Sequence, residues 1–404
     1  MSKIFGALFL ACFFAGVASF AEGQVVNGSF ESAGSGSLAS GWQVLGNSYT
    51  RVNSPNVWDQ LWMIRVNSGA GAVQKVTLNQ TTALPVSITV AVKGQNIADD
   101  PGDKMGASLD CKIAYRDGSF AWCPITLKTK SVGTFDWKWV GYNSKNLSSS
   151  TQPIDWIEVR LRMGNVAGQA WFDDVHVEQW NPTQNGLVTL MFDDSLLTTY
   201  MKAFPLLSSH GFAGTSAAVS SYIDSDSDHM TLSQLRELEA AGWSVVSHTV
   251  THADLTAVDV THLNDELYFS HKYLVDNGFT VKHLALPFGA YNALVFGRAQ
   301  EERYAGLDYE SVRTSDRGFN PQGVFPYNIR VQGVISSTTL AEFKSWLNTA
   351  KATKSWLVLI LHEIDRPNDI YTVTSGMLSD MAQAIADSGL PVVTYDDGFH
   401  AMTQ

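Results

Sequence analysis

The chain has 404 residues, enough for two domains with a core each, and its net charge of -12 argues against nucleic acid, which rewards Lys and Arg against phosphate. Charged residues are only 16% of it, alongside 32 glycines and 12 tryptophans, which excludes a coiled coil or a disordered tail. The composition suits a loop-rich β domain or an extracellular carbohydrate-active protein, and no Lys/Arg cluster marks a polybasic membrane patch.

Residues 1–21 read as a signal peptide. Lys3 precedes an apolar stretch from Ile4 to Val17, and Ser19-Phe20-Ala21 puts small residues where a signal peptidase reads, so cleavage is expected after Ala21. The alternative is an uncleaved anchor. No other segment is long and apolar enough to cross a bilayer, so the mature protein is expected to be secreted or periplasmic, without stable membrane insertion, and monomeric.

Residues 22–180 show short alternating strands, such as 87–92 and 156–161, which predicts an antiparallel β-sandwich. Cys111 and Cys123 flank the turn signal Arg116-Asp117-Gly118. A three-residue loop there sets the cysteines opposite each other, and a disulfide is expected rather than two buried thiols. Of Trp42, Trp58, Trp62, Trp122, Trp137 and Trp139, most are expected in the core; Trp58 and Trp62 are the candidates for stacking on glycan. The segment opens with Val26-Asn27-Gly28-Ser29-Phe30-Glu31 and closes with Ala170-Trp171-Phe172-Asp173-Asp174-Val175. These ends resemble the galactose-binding-like jelly rolls of carbohydrate-binding modules. The resemblance implies a structural calcium, with Glu31 and Asp174 as candidate ligands, against the reading of two turn carboxylates.

Residues 181–186 form a polar linker, and from 187 to 404 the pattern changes to strands alternating with helices. Strands are expected at 187–192, 214–219, 244–247, 283–286, 356–361 and 391–394. Helices are expected at 196–209, 232–241, 260–276, 293–302, 341–349 and 376–388. Such alternation with near-continuous apolar strands predicts a parallel sheet, closed or nearly closed as a barrel.

In such folds catalytic residues gather at the C-terminal ends of the strands. Asp193 and Asp194 follow the first strand, His248 ends the third, His252 comes four residues later, and His362 ends a late one. Two imidazoles and a carboxylate make a three-ligand metal site with open positions. The remaining carboxylate and histidine supply a base and an acid. This is the equipment of metal-assisted hydrolysis.

Met191-Phe192-Asp193-Asp194, His248 to His252, Leu286-Pro287-Phe288-Gly289 and Leu359-Ile360-Leu361-His362 occur in that order. Together they resemble the polysaccharide deacetylase family (NodB-homology domain, carbohydrate esterase family four). The resemblance implies a distorted (β/α)7 barrel that removes acetyl groups from amino-sugar polymers of the chitin, peptidoglycan or poly-N-acetylglucosamine type, with a water activated by one divalent metal. It implies zinc, with cobalt, nickel or manganese as the other candidates. By that resemblance Asp193 is the base, and Asp194, His248 and His252 hold the metal. His362 is the acid, the backbone N–H of Phe288 helps hold the oxyanion, and Ile360 lines the acetyl pocket.

Two departures stand out. Leu284-Ala285-Leu286 carries no Arg where many members place the one that tunes the base, and the family's Trp-containing motif is not recognisable. Arg313 and Arg330 are the candidate replacements, with a surface salt bridge as the plain reading of each. Asp365 is a candidate orienter of His362 or a turn residue. The competing functions are an O-acetyl esterase on xylan or another plant or algal polysaccharide, a non-haem iron oxygenase, and a secreted glycan-binding protein with an inactive hydrolase domain.

Overall fold

The computed structural model describes residues 25–54, 57–58, 60–99, 106–123, 131–147, 152–182, 185–300 and 309–404. The expected signal peptide lies outside the described residues.

Among the described residues the first half holds ten strands: β1 (Gln43–Val44), β2 (Thr50–Asn53), β3 (Trp62–Asn67), β4 (Gly71–Thr77), β5 (Val86–Ile97), β6 (Ala107–Tyr115), β7 (Phe120–Trp122), β8 (Gly133–Asn143), β9 (Ile154–Met163) and β10 (Gln169–Gln179). They form two five-stranded sheets, ordered β1-β4-β9-β6-β7 and β2-β3-β10-β5-β8. All pairs are antiparallel. Along β9 burial alternates, as a period-two strand with one face on a core requires. Ile157, Val159 and Leu161 from one sheet and Ile88, Val90 and Phe172 from the other share a single apolar core.

Arg116, Asp117 and Gly118 turn β6 into β7, with Tyr115 N–H bonded to Ser119 O at 2.9 Å. Gly118 takes a φ of +87°, which a side chain would resist. The turn puts Cys111 opposite Cys123, Cα atoms 5.1 Å apart, and the two are joined as a disulfide.

The second half holds β11 (Leu187–Phe192), β12 (Thr215–Ala218), β13 (Ser244–Ser247), β14 (His283–Ala285), β15 (Ser311–Arg317), β16 (Ile329–Gly333) and β17 (Trp356–Leu361), paired in that order into a closed parallel barrel. Strands β11 and β17, apolar along most of their length, are buried at every position. They pair through six residues, from Leu187 with Trp356 to Phe192 with Leu361. That register brings Asp193 and His362, the next residue on each strand, to the same rim. One apolar cluster lies between barrel and helices, including Leu263, Leu267 and Leu274 of the helix Val260–Asp276. A second, including Met191, Val246, Ala285 and Ile360, fills the barrel.

One sequence expectation fails here. Residues 391–394 are not a barrel strand; they touch β11 through a single bridge from Val392 to Val188. The barrel is completed instead by β15 and β16. Their polar residues Arg313, Thr314 and Gln332 are buried, so these strands lack the apolar run that marks the others. The chain then ends in a helix, Tyr395–Thr403, that no expectation included. Its Tyr395, Phe399 and Met402 join the cluster inside the barrel.

Candidate active site

The aspartates sit where β11 runs out. Asp193 N–H still bonds to Leu361 O at 3.0 Å, and then the chain turns with Asp194 and Ser195 at φ of 72° and 57°. The hydroxyl of Ser195 accepts from Val219 N–H at 3.1 Å and fixes that turn. The histidine loop is bent likewise, with Thr249 at φ 69° and His252 at 62°, and Phe288 sits at 57°. Such conformations cost on the order of 1–3 kcal/mol each for non-glycine residues and persist only where surroundings over-determine them.

Glu266 is what over-determines the histidine loop. From the helix Val260–Asp276 its carboxylate accepts from Val250 N–H at 2.8 Å, Thr251 N–H at 2.9 Å and the Thr251 hydroxyl at 2.5 Å. Sequence reasoning passes over this residue. The signal was present, since an acid falls between Leu263 and Leu267 on the apolar face of the helix, where an unpaired charge is too costly to bury.

His248 Nδ1 lies 2.8 Å from Ala285 O. A carbonyl only accepts, so Nδ1 carries the proton and Nε2 presents a lone pair. That lone pair faces Asp194 Oδ1 at 3.5 Å and Asp193 Oδ2 at 3.7 Å, and His252 Nε2 lies 3.3 Å from Asp194 Oδ1. One ligand atom from each of Asp194, His248 and His252 lies within 4.8 Å of the other two. This donor set fits a divalent metal such as zinc. Burial opposes ionisation of Asp194, but positive charge at the neighbouring imidazoles, His248 first and then His362 and His252, holds its carboxyl at about 2; a metal bound by neutral rings would supply that charge. Burial above all lowers the His252 imidazole, against the pull of the two aspartates, which favours the neutral form a metal requires.

Asp193 is 3% exposed, and its Oδ2 accepts from Arg313 Nη2 at 2.6 Å. Its other oxygen, Oδ1, is buried without a hydrogen-bond partner. Of the two candidate arginines only Arg313 reaches Asp193; Arg330 donates instead to Arg317 O at 3.3 Å. His362 Nε2 stands 4.0 Å from both aspartates, and its buried Nδ1 has no hydrogen-bond partner. Asp365 does not orient it. Its carboxylate accepts from Ser375 N–H at 2.7 Å, at the start of the helix Ser375–Ser388, and pairs with Lys202.

Phe288 is 67% exposed and its ring stands 4.6 Å from that of His252. Gly289 follows it at φ 60°, where an added Cβ would meet Ser315 at 2.4 Å, so this turn requires glycine. Ile360 lines the barrel beneath the site. Tyr371 is 51% exposed and packs 5.2 Å from His362. Phe288 and Tyr371 thus offer exposed aromatic faces beside His252 and His362. Nothing in the sequence pointed to Tyr371, which lies in a loop.

In the sandwich, Trp58 is 40% exposed, whereas the ring of Trp62 is covered by Arg51, 3.6 Å from its centroid. Exposed Trp122 was not expected. Glu31 and Asp174 each have partners of their own, and among the described residues neither belongs to a cluster of three or more His, Cys, Asp or Glu side chains. Glu31 Oε1 accepts from Leu61 and Trp62 N–H at 2.9 and 2.8 Å, and Asp174 Oδ1 lies 2.7 Å from His176 Nε2.

Residues 181–309 match the family model described as polysaccharide deacetylase. A curated Bacillus subtilis (strain 168) protein named "Putative polysaccharide deacetylase YxkH" is 29% identical over 119 residues, which cover 29% of this chain and 42% of that protein's length. Among solved structures, the Streptococcus pyogenes deacetylase PplD in complex with acetate is 26% identical at a TM-score of 0.33, covering 35% of this chain and 62% of that one. The Xyl-CE4 domain of a multidomain xylanase from the hindgut metagenome of Trinervitermes trinervoides is 19% identical at a TM-score of 0.39, covering 54% of this chain and 90% of that one. Over residues 181–309 the chain is therefore similar to the polysaccharide deacetylase family, and it spans less than half the length of the curated relative it matches.

Proposed function

We propose that the chain is a secreted, metal-dependent deacetylase acting on N-acetylated amino-sugar polymers. One observation carries the reading. The Asp193 carboxylate is held by Arg313 on one oxygen and free on the other, beside three converging metal ligands. When bound, a divalent metal lowers the pKa of a water from 15.7 towards about 7 and polarises the acyl carbonyl.

The remaining steps belong to the protein. Asp193 Oδ1 takes a proton from the attacking water, while Arg313 fixes the carboxylate plane and favours its ionised form. His362 Nε2 delivers a proton to the leaving amine. Phe288 and Tyr371 flank the acetylated sugar, and Ile360 closes the acetyl pocket from below. The sandwich, read as a galactose-binding-like jelly roll, holds the enzyme on its polymer, with Trp58 as its stacking residue. The signal peptide and the Cys111–Cys123 disulfide support an oxidising, extracytoplasmic compartment.

The test is acetate release from chitin oligomers, peptidoglycan, poly-N-acetylglucosamine and acetylxylan. Release from the N-acetylated substrates is expected. Release from acetylxylan alone would make the enzyme an ester hydrolase, and no release from any of them would leave a glycan-binding protein.

A further inference from the structure

The opposite end of the barrel carries a second group of metal-ligating side chains. His283 opens β14, Glu310 immediately precedes β15, and Asp396 and His400 lie on the terminal helix Tyr395–Thr403. Ligand atoms of His283, Glu310 and Asp396 all lie within 4.8 Å of one another. His283 Nε2 is 2.9 Å from Asp396 Oδ1, and its Nδ1 is held by Ser311 Oγ at 3.0 Å. His400 Nε2 is 3.2 Å from Glu310 Oε2.

The tautomer of His400 gives this cluster its meaning. His400 Nδ1 lies 2.8 Å from the carbonyl oxygen of Asp396. A carbonyl accepts only, so Nδ1 is the protonated nitrogen and a neutral ring turns its lone pair towards Glu310. A lone pair and a carboxylate at that distance repel unless a cation lies between them: either a second proton on the ring or a metal ion. His248 shows the same arrangement at the other rim, with Nδ1 tied to a carbonyl and Nε2 facing carboxylates. Histidines that ligate metals are held in this way by their other nitrogen.

We propose that His283, Glu310, Asp396 and His400 form a second divalent-metal site, at the N-terminal mouth of the barrel. Two imidazoles and two carboxylates suit zinc or a similar borderline ion. Asp396 and Glu310 are each about one-third exposed, so an ion can reach the site from solvent, while His283 is buried at its back. The ammonium of Lys282, 3.4 Å from Asp396 and 3.8 Å from Glu310, occupies part of the same field and competes for it. Bound there, the ion joins the terminal helix to two barrel strands. It holds structure and takes no part in acetyl transfer.

The experiment counts zinc bound to the untagged full chain, by equilibrium dialysis with elemental analysis. Two equivalents are expected in the unaltered protein, and one in the variant carrying both Glu310→Gln and Asp396→Asn, with acetate release unchanged. The variant carrying both His248→Ala and His252→Ala should also keep one equivalent, whose loss on adding Glu310→Gln and Asp396→Asn assigns it to the floor. Lys282→Met should tighten that equivalent by about fivefold, the scale of one exposed ion pair. If the His248/His252 variant fails to fold, the Glu310/Asp396 variant alone decides. Bound zinc that is undiminished by loss of both carboxylates, whether one equivalent or two, would overturn the proposal and leave a proton between His400 and Glu310.

Discussion

The two ends of the barrel use similar residues to different ends. At the upper rim the buried polar groups are left incomplete: Asp193 Oδ1 and His362 Nδ1 have no hydrogen-bond partner, and Asp194, His252 and Phe288 hold left-handed backbone. At the floor both ring nitrogens of His283 are engaged, and none of His283, Glu310, Asp396 and His400 has a positive φ. Of the two clusters, only the one at the upper rim combines strained backbone with buried, unpaired reactive atoms. The difference teaches which histidine–carboxylate cluster is poised for chemistry and which for cohesion.

The sharpest way to break this contrast is at the base. Asp193→Asn should keep the metal and lower the rate of acetate release by about 10²–10⁴-fold, the range of acid-base assistance. Full activity in that variant would put the base elsewhere. Arg313→Met should come next, because it leaves the Asp193 charge buried and unpaired. A stability loss of about 3–5 kcal/mol is expected from urea unfolding, with a fall in rate. An unchanged urea midpoint would show that the pair does not govern the site.

Smaller still is the clamp on the histidine loop. Glu266→Leu removes the acceptor for Val250 and Thr251 without touching a ligand. Metal affinity should fall by about 10–100-fold, as for other groups that orient ligands, while His283→Asn at the floor leaves catalytic-site affinity unchanged. The smallest effect concerns Asp365. Hydrogen bonds from Ser375 and then Lys202 hold its carboxyl at about 2. A depressed carboxyl contributes stability that is present above its unfolded value near 3.9 and is lost as pH falls towards about 2. Asp365→Asn should therefore lower the melting temperature slightly at pH 6 and make no difference at pH 2, by scanning calorimetry.

The same contrast explains what was legible in the sequence. Strands β11 and β17 could be read because both are apolar runs ending in reactive residues, and their register delivers Asp193 and His362 together. Helix Val260–Asp276 was legible to its ends from its apolar face, with Asp259 capping it through Thr261 and His262 N–H. Strand β15 was not, because Ser311-Val312-Arg313-Thr314 buries polar groups whose partners come from distant segments. For the same reason Arg313 was one of two candidates until Asp193 appeared 2.6 Å away. The Arg51 guanidinium over one face of Trp62 could not be read from the sequence, because a polar neighbourhood says nothing of what lies over a ring.

The most direct test of the upper rim is acetate release from chitin oligomers by the same preparation before and after metal removal. Activity should disappear with the metal, return with zinc, and fail to return in the His248→Ala and His252→Ala variants. Full activity in the stripped protein, or restoration by zinc in those variants, would contradict the assignment of Asp194, His248 and His252 as the ligands on which hydrolysis depends.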